Sequence, residues 1–352
     1  MIDTINNIFG IVNKAIGDFV AGFLPTWVAA AIMALIAIVA ALVFLIVVVM
    51  LETYLERRVL ARMQDRWGPN RVGPWGLFQP VADVLKLLMK EDIRPLVADK
   101  WVFFLAPCIV LIPSVLAYAV IPFGRGMQVA DINIGLLFLL ALGSIPTIGV
   151  VLAGWGSANK YSVLGGMRAA AQMISFEIPL LLSLISPILI VGSLSMVDIV
   201  KSQSSIWYIV VQPVAFLIYY ISGLAEGNRS PFDLAEAESE LIAGYHIEYS
   251  GIRWALFFLA EYMNAFTVAA IATTVFLGGW QPLPLLSFIP GYLWFTVKAG
   301  LLFVSMIWVR ASLPRIRIDQ LMAFNWKVLV PVSLANLVIT GVGVSLWQYF
   351  VG

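Results

Sequence analysis

Residues 27–51, WVAAAIMALIAIVAALVFLIVVVML, decide the fold, because Trp27 to Leu51 contains no charged, amide, glycine or proline residue. A helix rises about 1.5 Å per residue and a bilayer's hydrocarbon core is about 30 Å thick, so roughly 20 such residues cross it. Seven further stretches are long and apolar enough to do the same: Trp101–Pro122, Ile134–Ala153, Ala169–Val191, Ile206–Leu224, Trp254–Leu277, Tyr292–Val309 and Val328–Phe350. The whole chain of 352 residues is 61% hydrophobic and 12% charged, whereas soluble globular domains are about 45–50% apolar. The expected fold is therefore an all-α polytopic membrane protein, a single integral domain over residues 1–352 with eight transmembrane helices. Pro107, Pro113, Pro146, Pro179, Pro187 and Pro213 predict kinks in the central spans, each freeing a backbone carbonyl for another partner.

Around these spans the charges are distributed unevenly. The connections after spans one, three, five and seven carry 17 of the 21 Lys and Arg residues, which places them in the cytoplasm and both termini outside. No cleavable signal peptide is expected, since the first apolar span is too long and only Lys14 precedes it. Residues before that span set Ile5, Phe9, Val12 and Ile16 at helical intervals, predicting a helix lying on the membrane surface. The first cytoplasmic connection, residues 52–100, holds nine basic and seven acidic residues. Within it RWGPNRVGPWG, residues 66–76, is turn-forming, and LFQPVADVLKLLMKED, residues 77–92, is amphipathic: Leu77, Val81, Val84, Leu85 and Leu88 recur at three- and four-residue steps. The one cysteine, Cys108, and the one histidine, His246, offer no disulfide, thiolate cluster, haem or metal site. No nucleic-acid partner is expected.

Carboxylates inside and beside the apolar spans carry the functional signal. Glu177 and Glu261 interrupt apolar spans, where an acid costs at least about 2.5 kcal/mol; such residues mark ion or proton routes or hydrogen-bonded packing. The loop 225–253 contains FDLAEAESEL, residues 232–241, in which Asp233, Glu236 and Glu240 share one helical face while Glu238 points elsewhere. A solvated acidic loop is one reading. The interleaved Phe, Leu and Ala, with Glu226 before the run and Glu248 and Glu261 after it, favour a half-buried string of acids that exchange protons near neutral pH. Calcium would need a Gly turn and alternating Asp or Asn that the run lacks. Lys298, inside span seven, either snorkels to the interface or pairs with a membrane acid.

Three segments, LERRVLARMQDRWGPNRVGPWGLFQPVADVLKLLMKED (residues 55–92), NRSPFDLAEAESELIAGYHIEYSG (228–251) and RASLPRIRIDQLMAFNWKVLVP (310–331), closely resemble signatures of the quinone-proximal membrane subunit of respiratory complex I. The resemblance covers essentially the whole chain. It implies a proton path at Glu56, Glu177, Asp233, Glu236, Glu238, Glu240, Glu248 and Glu261, and a quinone chamber touched by Arg57, Arg66, Asp83, Arg229, Phe232, Arg310 and Arg315. It implies quinone, either ubiquinone or menaquinone, as substrate, with FMN and iron–sulfur clusters only in partner subunits. The partners would be the hydrophilic redox arm and neighbouring membrane-arm subunits, in a bacterial plasma (inner) membrane. The bare residues fit this reading, since basic groups can stabilise a reduced, transiently anionic quinone head. Positive-inside topology and docking of the redox arm account for any single arginine equally well. The rival readings are a homologous membrane subunit of an energy-converting hydrogenase, formate hydrogenlyase or ferredoxin-dependent complex, and an independent cation or proton antiporter.

Overall fold

The structure is a computed structural model that describes residues 18, 22, 25–235, 242–282 and 289–351. In chain order α1 spans Thr26–Met63, α2 Gln79–Met89, α3 Lys100–Ala117, α4 Gly135–Gly156, α5 Lys160–Val191 and α6 Met196–Ser202. They are followed by α7 (Tyr208–Val211), α8 (Pro213–Glu226), α9 (Gly251–Phe276), α10 (Gly291–Ser312), α11 (Ile318–Phe324) and α12 (Val330–Val351). A π turn, Asn325–Leu329, joins α11 to α12. The expected all-α fold is present: among the described residues there is no strand, only an isolated bridge between Gly124 and Met127. The surface helix expected around Ile5, Phe9, Val12 and Ile16 lies outside the described residues.

Seven helical stretches, α1, α3, α4, α5, α9, α10 and the continuous run Ile318–Phe350, are long and apolar enough to cross a membrane. The remaining expected span, residues 206–224, is broken instead. It forms the 4-residue α7 and the 14-residue α8, parted at Gln212, whose φ of −128° is not helical. Pro213 is the cause, since it lacks an N–H and its ring drives the preceding residue out of the helical region. The other prolines behave differently: Pro107, Pro113, Pro146, Pro179 and Pro187 sit inside helices that continue past them. Pro179 frees the Ser175 carbonyl one turn earlier, and that oxygen accepts a 2.7 Å hydrogen bond from Asn325 Nδ2 in the π turn.

Packing centres on α9, where every residue from Ala265 to Phe276 is buried. Its buried Thr267, Thr273 and Thr274 hydroxyls donate to carbonyls one turn back, so no polar group is stranded by that burial. Close helix approach depends on small residues, as is usual in membranes. A Cβ at Gly149 of α4 would stand 2.5 Å from Val110 of α3, and one at Gly165 of α5 would stand 2.6 Å from the Gly244 backbone. At the periphery, α1 turns Leu35, Ile38, Val39 and Val43 outward and buries one stripe, Leu45, Val49, Glu52, Thr53 and Glu56. That stripe is apolar toward the N-terminal end of α1 and polar toward its C-terminal end. The amphipathic helix is borne out as α2, with Val81, Val84, Leu85 and Leu88 exposed. It is held to α1 by the Arg57–Asp83 ion pair, while Tyr54 Oη and Arg58 Nη2 reach Trp75 O at 2.9 and 2.7 Å.

Candidate functional site

Where the polar half of the α1 stripe meets α9, α10 and the α8–α9 connection, four charged side chains converge. Glu56 Oε2 accepts from Arg229 Nη1 at 2.8 Å, and Glu56 Oε1 accepts from Arg310 Nη1. Arg229 Nε lies 3.3 Å from Glu261 Oε1, and its guanidinium sits 4.3 Å from the Tyr262 ring centroid. Arg229 is placed by its own backbone, its N–H bonding Leu224 O at 3.0 Å and its carbonyl accepting from Phe232 N at 2.9 Å. Only 4% of Arg229 and 4% of Glu56 is exposed, so these charges persist because they are paired. Burial opposes the Arg229 charge, but Glu261 and Glu56 outweigh it and hold the guanidinium pKa above its ordinary value. Beside the cluster, buried Asp233 pairs with Arg315 at 3.4 Å.

From this cluster polar groups continue between the helices. Glu261 lines a cavity of about 20 Å³ together with Glu226, Asn228 and Asn264. Glu226 and Asn264 also line a second cavity of about 50 Å³, shared with Glu177. Each is roomy enough for at least one water, which takes about 10–15 Å³. Glu177 accepts from Ser144 Oγ of α4. Glu261, Glu226 and Glu177 thus line two water-sized cavities that share Glu226 and Asn264, and Glu56 is joined to Glu261 through Arg229.

Other expected site residues fall elsewhere. Arg57 and Asp83 pair across the α1–α2 surface, and exposed Arg66 bonds Gln64 at 2.8 Å. Glu248 accepts from Asn159 Nδ2 at 2.7 Å, next to the start of α5. The Phe232 ring packs against Phe176, with centroids 5.9 Å apart. Glu236, Glu238 and Glu240, and with them the expected shared helical face, lie outside the described residues. Among the described residues Lys298 meets no acid: its ammonium donates to the carbonyls of Leu277, Gly279 and Gln281 at 2.7, 3.1 and 2.7 Å and lies 4.1 Å from the Trp207 ring. In the α8–α9 connection, burial pushes the His246 pKa down to about 4 and raises that of Tyr249. Between α1 and α10 runs an apolar-walled groove of about 420 Å³ formed by Val59, Met63, Val304 and Trp308 with Arg58 and Arg62.

Comparison with known proteins gives this geometry its setting. A family model described as NADH dehydrogenase matches residues 36–341. The chain belongs to the NADH dehydrogenase family. Its relatives include an NADH-quinone oxidoreductase H subunit of Anoxybacillus flavithermus, 53% identical over 320 residues that cover 90% of this chain and 95% of that one. Proteins of the same name from Dehalococcoides mccartyi and Bacillus cereus are 54% and 56% identical, covering 87% and 81% of this chain and 85% and 86% of theirs. In this NADH dehydrogenase family chain, the structure adds Asn264, Tyr262 and Glu52 to the residues singled out from sequence, and it sets Glu226, read there only as preceding the acidic run, in both cavities. Two of them carried a signal, since Asn264 follows Glu261 by three and Glu52 precedes Glu56 by four, helical spacings that put each pair on one face. Tyr262 had none, because an aromatic residue in an apolar span reads as packing.

Proposed function

We propose that the route from Glu56 through Glu261 and Glu226 to Glu177 couples quinone reduction to proton translocation. The chain is an integral membrane subunit of an NADH-quinone oxidoreductase, complex I, with quinone as the substrate of the assembled enzyme. The observation that carries the coupling reading is Glu56 held between Arg229 and Arg310, with Arg229 also paired to Glu261, which lines one of two cavities that share Glu226 and Asn264. Two-electron reduction of a quinone head creates negative charge that must be met by protons. Arg310, Arg315 and Arg229 offset that charge electrostatically, as fixed cations do best in a water-poor site. The same change in field alters how tightly Glu56 and Glu261 hold protons, and waters in the two cavities carry the change on to Glu177. Asp233, Glu248, Glu236, Glu238 and Glu240 extend the acidic path on the cytoplasmic side, while Arg57, Arg66, Asp83 and Phe232 shape the approach of the quinone head.

FMN and iron–sulfur clusters belong to partner subunits of the hydrophilic redox arm, which docks on the basic cytoplasmic connections. Other membrane-arm subunits cover the lipid-facing helices. The enzyme sits in a bacterial plasma membrane with both termini of this chain outside, in keeping with the 17 of 21 basic residues assigned to cytoplasmic connections. A homologous hydrogenase or ferredoxin-dependent subunit, or a free-standing antiporter, is the less supported reading, given relatives named for quinone chemistry across most of the chain.

The test is Glu261→Gln in membranes carrying the assembled complex, with assembly checked on a native gel. Quinone-dependent NADH oxidation and proton uptake should both fall, on the order of a hundredfold for loss of a proton-transfer group. NADH oxidation by an artificial acceptor should persist. Unchanged rate and unchanged proton uptake would refute the coupling role.

A further inference from the structure

Two buried groups in the cluster are left without partners, and they are chemically complementary. Glu52 is 3% exposed, and neither of its carboxyl oxygens has a hydrogen-bond partner among the described residues. Arg229 is 4% exposed, and its Nη2 has none either. A stranded buried polar group costs about 1–3 kcal/mol, so native structures rarely keep one without a use. Glu52 lies one turn before Glu56 on the buried stripe of α1. The charged and titratable groups acting on it are Arg229 of the α8–α9 connection, Glu56 of α1 and Tyr118 at the end of α3.

Charge counting then fixes its resting state. Arg229 and Arg310 are balanced by Glu56 and Glu261, which engage them directly. A third carboxylate at Glu52 would leave one uncompensated negative charge in the membrane, which is costly unless neutralised. We infer that Glu52 is a proton-exchanging residue of this site: neutral while Arg229 is held by Glu56 and Glu261, and ionised as the alternative partner of Arg229 when either of those takes up a proton. The exchange balances, since the O–H bond of Glu52 breaks and its proton passes to the carboxylate that Arg229 releases. Net charge stays constant, and one proton has moved along α1 or across to α9. The inference rests on reading the cluster as the coupling element of a quinone reductase, but its protonation state can be measured without turnover.

The experiment is infrared difference spectroscopy of the assembled complex in membranes, wild type against Glu52→Gln, followed by Glu261→Gln. The expected result is a protonated-carboxyl band at neutral pH that Glu52→Gln removes and that Glu261→Gln also depletes, because Arg229 then recruits Glu52. Quinone-dependent turnover of Glu52→Gln and Glu52→Leu should fall about tenfold or more, with a displaced pH profile in Glu52→Asp. A spectrum unchanged by Glu52→Gln would overturn the inference whatever the role of the cluster. Retention of full rate and an unmoved pH profile in Glu52→Leu would also overturn it, leaving Glu52 as a space-filling side chain. Should the band be present while Glu261→Gln keeps full proton uptake, the coupling reading fails and the Glu52 assignment stands.

Discussion

Two buried cations at opposite ends of the bundle are stabilised in opposite ways. Where α9 ends and α10 begins, Lys298 gives its ammonium to three backbone carbonyls, Leu277, Gly279 and Gln281, and rests against Trp207. An ammonium has three donors, so this one is saturated by neutral dipoles that no proton can alter. At the opposite end, Arg229 is held by the carboxylates of Glu56 and Glu261, and its Nη2 has no partner among the described residues. Each of those partners can be neutralised by a proton. The first arrangement fixes structure, whereas the second responds to the chemistry beside it.

The largest effect should come from removing the responsive cation. Arg229→Met leaves Glu56 and Glu261 buried with Arg310 alone to compensate them, and breaking a buried pair in this way costs about 3–5 kcal/mol. The expected outcome is loss of assembled complex on a native gel, with no quinone-dependent activity. Arg229→Lys should fail to restore activity even where assembly recovers, because a single ammonium cannot fork between two carboxylates as a guanidinium does. Assembly and full activity in Arg229→Met would erase the contrast between the two ends.

Lys298→Met should have a smaller effect, of a different kind. Three carbonyls lose their donor, at a cost of about 1–3 kcal/mol each if none is rehydrated. The melting temperature of the complex should drop, while the complex that survives keeps its quinone-dependent rate and its proton uptake. A Lys298→Met enzyme that assembles and melts normally but no longer takes up protons would show that Lys298 also belongs to the coupling machinery.

How far these two ends could be read in advance differs for a physical reason. The long apolar helices and the amphipathic α2 follow from runs and periodicity of apolar residues, which are local properties of the chain. Glu177 and Glu261 stood out because an acid inside an apolar span is conspicuous by itself. The partner of Lys298 was not legible, since backbone carbonyls carry no sequence signature and become available only where a helix ends. The break between α7 and α8 was anticipated only as a kink, because nothing local separates Pro213, which parts two helices, from Pro179, which α5 continues past with Asn325 bonding the freed carbonyl. Glu226 stood at the margin of the acidic run, and only the packing of α4, α5 and α9 brings it between Glu177 and Glu261.

The smallest predicted effect sharpens the comparison by adding a third kind of buried titratable group. His246 is 8% exposed and kept neutral by burial, with its pKa lowered to about 4 against an ordinary value near 6.5. The unfolded chain takes up the proton below about 6.5, whereas the folded chain does not until about 4, so stability is lost as pH falls through that window. Each pH unit there corresponds to at most about 1.4 kcal/mol. His246→Phe keeps an aromatic ring beside Trp254 and removes the titration, so thermal inactivation of the complex should become flatter between pH 6.5 and pH 5 than in wild type. The Arg229 cluster should be insensitive over the same interval, because a proton taken by Glu56 or Glu261 is met by one released from Glu52. An acid-labile variant in which His246→Phe leaves the slope unchanged would place the lability in that cluster, and would mean that its internal exchange does not hold the net charge constant.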